Sequence, residues 1–188
     1  INTIAFVEED GSVTLVDCGV KKAPPKIVAG LAAIGKVPGD VQKIVLTHAH
    51  NDHAGGAAEM VRRTGLSGVE VHSEDASFVE AGTSAPLDES MISGRVLARV
   101  PFGGFEAVSV SRQLTDGELI DVAGGITVHH TPGHSPGHIS LRHEKTNLLI
   151  TGDAIWNMAS RMTWPVSAFC TSHKLNRQSA HVLGELDY

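Results

Sequence analysis

The 188-residue chain is 41% hydrophobic with a mean hydropathy of +0.02, which is enough apolar material for one packed domain. No apolar run approaches the ~20 residues of a membrane-spanning helix, and a net charge of −6 with pI about 6.0 argues against a surface built for nucleic-acid phosphates. Neither a membrane nor a nucleic-acid partner is expected; two cysteines, Cys18 and Cys170, make no disulfide framework, so a reducing cytoplasm is the expected compartment. No basic-then-apolar leader opens the chain, but it begins at Ile1 without Met, which leaves a removed leader open, as it leaves the oligomeric state.

Residues 3–7 and 13–16 flank Asp10-Gly11 and predict a β-hairpin, the Asp-Gly pair supplying the positive-φ turn. Its second strand delivers Asp17, followed by Cys18, which reads as a buried small hydrophobe. Pro24-Pro25 opens a helix to about Ile34, with Ile27, Val28, Leu31 and Ile34 on one face and Gly35 ending it. A strand over 42–46 then runs into Thr47-His48-Ala49-His50-Asn51-Asp52-His53-Ala54-Gly55-Gly56. Three imidazoles and a carboxylate in six consecutive positions at a strand end are the donors a d-block dication needs, and they suit zinc, iron or manganese. The pattern is too long and ordered for scattered surface histidines. Gly55 and Gly56 would let the backbone pass close to the metals. A helix over 57–63, a strand over 69–72 and a helix over 74–81 follow, with His72 read as structural because no spacing ties it to the ligands.

Residues 82–112 break this rhythm. A helical pocket of Met91, Ile92, Val96 and Leu97 precedes Pro101-Phe102-Gly103-Gly104-Phe105, and the stretch reads as an insertion over the site. Met91, Phe102 and Phe105 are candidates either for substrate contact or for plain packing. Strands resume at 118–122, 125–130, 138–142 and 147–150. The alternation of Ile126-Thr127-Val128-His129-His130 marks a half-buried strand that feeds Thr131-Pro132-Gly133-His134-Ser135-Pro136-Gly137-His138. Pro136-Gly137 prevents His134 and His138 from forming a helical pair, so His138 is placed behind the ligands. His143, beside Arg142 and Glu144, predicts a solvated turn. Beyond Thr151-Gly152-Asp153 the stretch 154–164 reads as irregular, with Trp156, Met158, Met162 and Trp164 as pocket residues. Residues 172–186 form a terminal amphipathic helix that carries His173 and His181.

The histidine loop at 47–56 resembles the first signature, T-H-x-H-x-D-H-x-G-G, of the metallo-β-lactamase superfamily. Thr131 to His138 resembles that family's second histidine motif, Thr151-Gly152-Asp153 its bridging-carboxylate motif, and Leu15-Val16-Asp17-Cys18-Gly19 its early Asp-bearing strand end. The four motifs stand in the family's order over residues 3–155. The resemblance implies an α/β fold, an αββα four-layer sandwich in one domain over 1–188, with 82–112 as its lid. It also implies two divalent ions: His48, His50 and His134 around one, Asp52 and His53 around the other, Asp153 bridging, and Asp17 and His138 in support behind them. The second ion is then one ligand short. The family supplies that ligand after its C-terminal helix, so the fold is expected to be truncated, with the seventh ligand beyond Tyr188; His173 and His181 are poor substitutes.

What the resemblance implies chemically is a metal-bound hydroxide, oriented by Asp52 and generated on zinc or else on manganese or iron, that attacks an acyl carbon of a small molecule. No serine or cysteine nucleophile is needed. Asp153 occupies a position that is a bridging aspartate in glyoxalase II-like thioesterases and lactonases but not normally in β-lactamases proper. Ester, lactone or thioester hydrolysis is therefore expected ahead of β-lactam hydrolysis. Trp156 stands where the lactonases tend to carry a nearby Tyr, and the basic glutathione-binding segment of glyoxalase II has no counterpart, so the substrate stays open. Within the same family, His48, His134 and Asp153 could instead form the facial triad of a mononuclear-iron persulfide dioxygenase.

Overall fold

The computed structural model of the chain describes residues 2–88, 95 and 104–186. Met91, Ile92, Val96, Leu97 and Phe102, named above for the insertion, lie outside them. The chain divides into two compact units, Ile1–Ser84 with Gly103–Leu114, and Ala85–Phe102 with Thr115–Tyr188.

The first unit is built on a five-stranded sheet in the order β1-β2-β3-β4-β5. Strands β1 (Ile4–Val7) and β2 (Val13–Val16) pair antiparallel. Only Gly11 of the expected Asp-Gly turn has positive φ, at 91°, while Asp10 caps the turn by accepting the Ser12 N–H at 2.9 Å. Strands β3 (Val41–Val45), β4 (Val69–His72) and β5 (Val110–Leu114) continue the sheet in parallel. Parallel strands need crossovers, and the helices α1 (Pro24–Ala33), α2 (Ala57–Thr64) and α3 (Ser73–Ala81) supply those after β2, β3 and β4. α2 and α3 each end on a left-handed glycine, Gly65 and Gly82, as their sequences require. The core of this unit gathers Leu15, Leu31, Ile44, Leu46, Met60, Val71 and Val79, and each large apolar side chain buried there contributes about 1.5–3 kcal/mol.

Two expectations change here. Strand β5 lies within and beyond the tail of the 82–112 stretch, as the fifth strand of this sheet. Its burial pattern leaves Ser111, Arg112 and Gln113 exposed, which is why no apolar run marked it. Phe105 packs against the first unit's core, so of its two readings the packing one holds.

The second unit has a four-stranded antiparallel sheet, β6 (Leu119–Ile120), β7 (Ile126–His130), β8 (Ile139–His143) and β9 (Leu148–Ile150), in chain order. A separate hairpin of β10 (Trp156–Met158) and β11 (Arg161–Thr163) replaces the irregular stretch expected there. Its turn takes Ala159 and Ser160 through positive φ, at 50° and 64°, without the glycine or asparagine that would have announced it. Helix α4 (His173–Gly184) closes the described chain, capped by Ser172, whose hydroxyl accepts the Leu175 N–H. His143 is not on a solvated turn. It is buried at the end of β8, where Nε2–H donates to the Ala123 carbonyl at 2.8 Å and Nδ1 accepts from the Thr146 hydroxyl at 2.7 Å.

Candidate metal centre

In the first unit the C-terminal ends of the parallel strands carry the candidate donors, at the end where open α/β sheets bind ligands. Asp17 follows β2, and Thr47 to His53 follow β3. Asp17 takes a left-handed φ of 61°, which Asp tolerates better than most residues, and its buried carboxylate is fully engaged. Oδ1 accepts the Thr47 N–H at 2.8 Å, and Oδ2 accepts both the Thr47 hydroxyl at 2.8 Å and His53 Nδ1 at 2.7 Å. A carboxylate can only accept, so the His53 proton sits on Nδ1 and Nε2 is the basic nitrogen. The Thr47 hydroxyl, spent on Asp17, leaves its oxygen to accept from His48 Nδ1 at 3.0 Å, which orients that ring the same way. The rings of His48 and His50 are 4.7 Å apart and those of His48 and His53 are 4.2 Å apart, with ring nitrogens of both pairs within 4.8 Å. Asp52 lies 3.8 Å from His53 Nε2 and is about one-third exposed, with its side-chain accessibility at 34%. Imidazoles converging with their outer nitrogens held by an acidic and a hydroxyl partner are the arrangement that metal-binding histidines use, so this donor set fits a divalent ion.

The loop is fixed by backbone contacts as well. His50 O accepts from both His53 N and Ala54 N, and Cys18 N–H donates to His53 O at 2.8 Å. Gly55 and Gly56 serve this packing rather than an approach to metals. A Cβ on Gly55 would strike the Asn51 carbonyl and come within 2.8 Å of Lys21 N, and one on Gly56 would strike the Cys18 carbonyl. One neighbour of the loop escaped the sequence: Asp75, in the first turn of α3, accepts the Ala49 N–H at 2.8 Å while wholly buried. Its single sequence signal is an Asp sharing the buried helix face of Ala76 and Val79. His72, read as structural, caps α3 by accepting the Glu74 N–H on Nδ1 at 3.3 Å.

In the second unit, β7 feeds His134 and β9 feeds Asp153. His134 Nε2 lies 3.4 Å from Asp153 Oδ2. His138 is fully buried, and its Nε2 accepts the Asp153 N–H at 2.9 Å. That nitrogen is therefore unprotonated, and Nδ1–H donates to the Thr131 hydroxyl at 2.8 Å. The relay continues from Thr131 to Ser140 at 3.0 Å and from Ser140 to the Thr151 carbonyl at 3.1 Å. One chain of neutral donors thus spans both sides of the Thr151-Gly152-Asp153 turn. Helix α4 supports the same loops. Ser172 N–H bonds Gly133 O at 2.8 Å, Asn176 Nδ2 bonds Ala154 O at 3.0 Å and Ser179 bonds Pro132 O at 2.7 Å.

The Trp156 ring is 6.5 Å from that of His134 and 6.3 Å from Phe169. Met158, Met162 and Trp164 are exposed on or beside the hairpin, with the Arg177 guanidinium 4.4 Å over the Trp164 ring. Neither cysteine has thiolate character. Burial, helped by the Asp17 charge, pushes Cys18 far up, and burial with the charges of Asp153 and Asp88 pushes Cys170 up to about 12. His173 and His181 lie on α4, with His181 6.2 Å from the Trp164 ring. No helix among the described residues is long and apolar enough to cross a membrane.

Residues 1–186 match the family model described as Metallo-beta-lactamase superfamily. A probable metallo-hydrolase of Bacillus subtilis, YybB, is 25% identical over 182 residues, 96% of this chain and 74% of that protein. The acyl-coenzyme A thioesterase MBLAC2 of Gallus gallus is 32% identical over 128 residues, 64% of this chain but 43% of the relative. Among solved structures, a mutant of the FEZ-1 metallo-beta-lactamase from Legionella gormanii superposes with a TM-score of 0.70 at 20% identity, over 98% of this chain and 68% of that one, which establishes the shared fold. The chain spans about half the length of several other solved structures that it matches.

Proposed function

Because the chain belongs to the metallo-β-lactamase superfamily and has its fold, we propose that it is a metal-dependent hydrolase of a small-molecule ester, lactone or thioester. The observation that carries this reading is the 47–53 loop, in which His48 and His53 are held by their Nδ1 atoms, which leaves the buried Nε2 of each ring as its basic nitrogen. In the proposed ligand set, His48, His50 and His134 would hold one divalent ion and Asp52 and His53 a second, with Asp153 common to both and zinc favoured by the nitrogen-rich donors. Ions held there would acidify a bound water and polarise the scissile carbonyl. Asp52, the carboxylate of the 47–53 loop and about one-third exposed, orients the attacking water and accepts its proton, and His138 fixes the Asp153 backbone from behind. Likeness to a protein described as an acyl-coenzyme A thioesterase favours the thioester arm.

The test is metal analysis of the purified chain followed by a panel of thioester, lactone, ester and β-lactam substrates, run beside Asp52→Ala. About two zinc or manganese ions per chain and an activity that falls roughly a thousandfold in Asp52→Ala, on the scale of a lost general base, are expected, with far-UV circular dichroism unchanged. Wild-type rates in that variant would sink the mechanism. One iron per chain, with oxygen-dependent turnover of a persulfide, would replace hydrolysis with dioxygenation.

A further inference from the structure

Asp75 is a carboxylate with no accessible surface, placed by α3 rather than by any of the four motifs. Burying an ionised carboxylate is costly unless it is compensated. One compensating bond is long-range: Oδ2 accepts the N–H of Ala49, a residue 26 positions away that is itself fully buried. That amide lies beyond the β3 ladder, which ends at Val45, so without Asp75 it would be a buried donor in a loop. Placement in the first turn of a helix favours negative charge, and a charged acceptor makes a hydrogen bond about twice as strong as a neutral one.

Ala49 sits between His48 and His50, so its peptide groups connect the two rings. Rotating the 48–49 peptide would swing the two imidazoles relative to each other. Asp17 already holds the loop at Thr47 and His53, leaving the middle unsecured from that side. We propose that Asp75 is a positioning residue for the metal loop, its carboxylate locking the Ala49 peptide so that His48 and His50 are set at their spacing before any ion binds. This rests on the reading of His48 and His50 as ligands. The loop is then clamped at 47, 49 and 53 by two buried carboxylates from two different elements, the end of β2 and the start of α3.

The experiment compares the wild-type chain with Asp75→Ala and Asp75→Asn, reading zinc affinity by chelator competition, cooperative unfolding of the metal-free proteins, and exchange of the Ala49 amide by NMR. Asn retains an oxygen acceptor where Ala has none. Asp75→Ala is expected to bind zinc about 10–100-fold more weakly, the usual cost of losing an outer-shell partner, while still unfolding cooperatively, and Asp75→Asn should recover most of that loss. Ala49 should exchange slowly in metal-free wild type and in Asp75→Asn, and quickly in Asp75→Ala. A purely structural Asp75 would lower stability with zinc affinity unchanged, which overturns the proposal, as does a folded Asp75→Asn no better than Asp75→Ala. Should Asp75→Ala fail to fold, fast Ala49 exchange in wild type still refutes the clamp, and slow exchange in wild type with near-wild-type affinity in Asp75→Asn sustains it. Failure of wild type to bind zinc would fell the ligand reading, whereas Ala49 exchange would still report the hydrogen bond.

Discussion

The two sets of proposed ligands are held by opposite chemistry. In the first unit the histidine loop is clamped by buried carboxylates, Asp17 taking the Thr47 N–H, the Thr47 hydroxyl and His53 Nδ1, and Asp75 taking the Ala49 N–H. In the second unit a neutral relay of His138, Thr131 and Ser140, together with the amide and backbone of α4, braces the His134 and Asp153 loops. Charged acceptors bond more strongly but leave buried donors stranded when they are removed, whereas a neutral relay spreads its contribution over several weaker bonds. The first loop should therefore depend on single residues and the second on the fit of a whole surface.

The largest expected effect tests that contrast directly. Asp17→Ala strands the Thr47 N–H, the Thr47 hydroxyl and His53 Nδ1 in a buried pocket, and at ~1–3 kcal/mol for each unsatisfied group it should destabilise the metal-free chain by about 3 kcal/mol or more in urea unfolding. His138→Ala breaks two bonds of a neutral relay and should cost less, about 1–2 kcal/mol. Equal losses would erase the distinction between the two clamps.

Surface fit in the second unit is probed next. Gly133 has φ 130°, and a Cβ there would drive into the backbone of Asn176 on α4. Gly133→Ala should therefore cost about 2 kcal/mol or more through strain and clash. Gly30, on the exposed side of α1 with nothing within 4 Å of its would-be Cβ, is the control. Gly30→Ala should stabilise by about 0.5–1 kcal/mol, and thermal unfolding of the pair reads both signs.

The smallest effect concerns protons. Burial holds the His129 imidazole below its ordinary value, with Arg142 adding to this and Asp116 and Glu144 partly offsetting it. Just below the ordinary histidine value the unfolded chain then binds a proton that the folded chain does not, so stability falls as pH drops through that window. Its Nε2 has no hydrogen-bond partner among the described residues to compensate. His129→Leu should make the fall in melting temperature with acid shallower by a small amount, and an unchanged slope would remove His129 from the account.

Much of the scaffold was legible because it is local. The helices at α1, α2 and α3, the paired strands β1 and β2, and the strand leading into the histidine loop follow from apolar period, Pro at helix starts and Gly at helix ends. What stayed hidden was set by partners distant in sequence. β5 becomes a strand by pairing with β4 despite three exposed polar residues, and the β10–β11 turn takes positive φ at Ala159 and Ser160 with no turn-forming residue. His143 looked solvated because its neighbours are charged, yet the Ala123 carbonyl, 20 positions away, draws it inside.

The sequence by itself determined the family and gathered the candidate donors, since three histidines and an aspartate fall in six positions of one strand-to-helix loop and the later motifs stand in family order. Only the tertiary structure decided which groups hold those donors in place. Asp75 meets Ala49 across 26 residues and Asp17 meets His53 across 36, and no spacing rule reaches that far. A ligand announces itself by its chemistry, but the residue that aims it can be any acceptor the fold brings within a hydrogen bond.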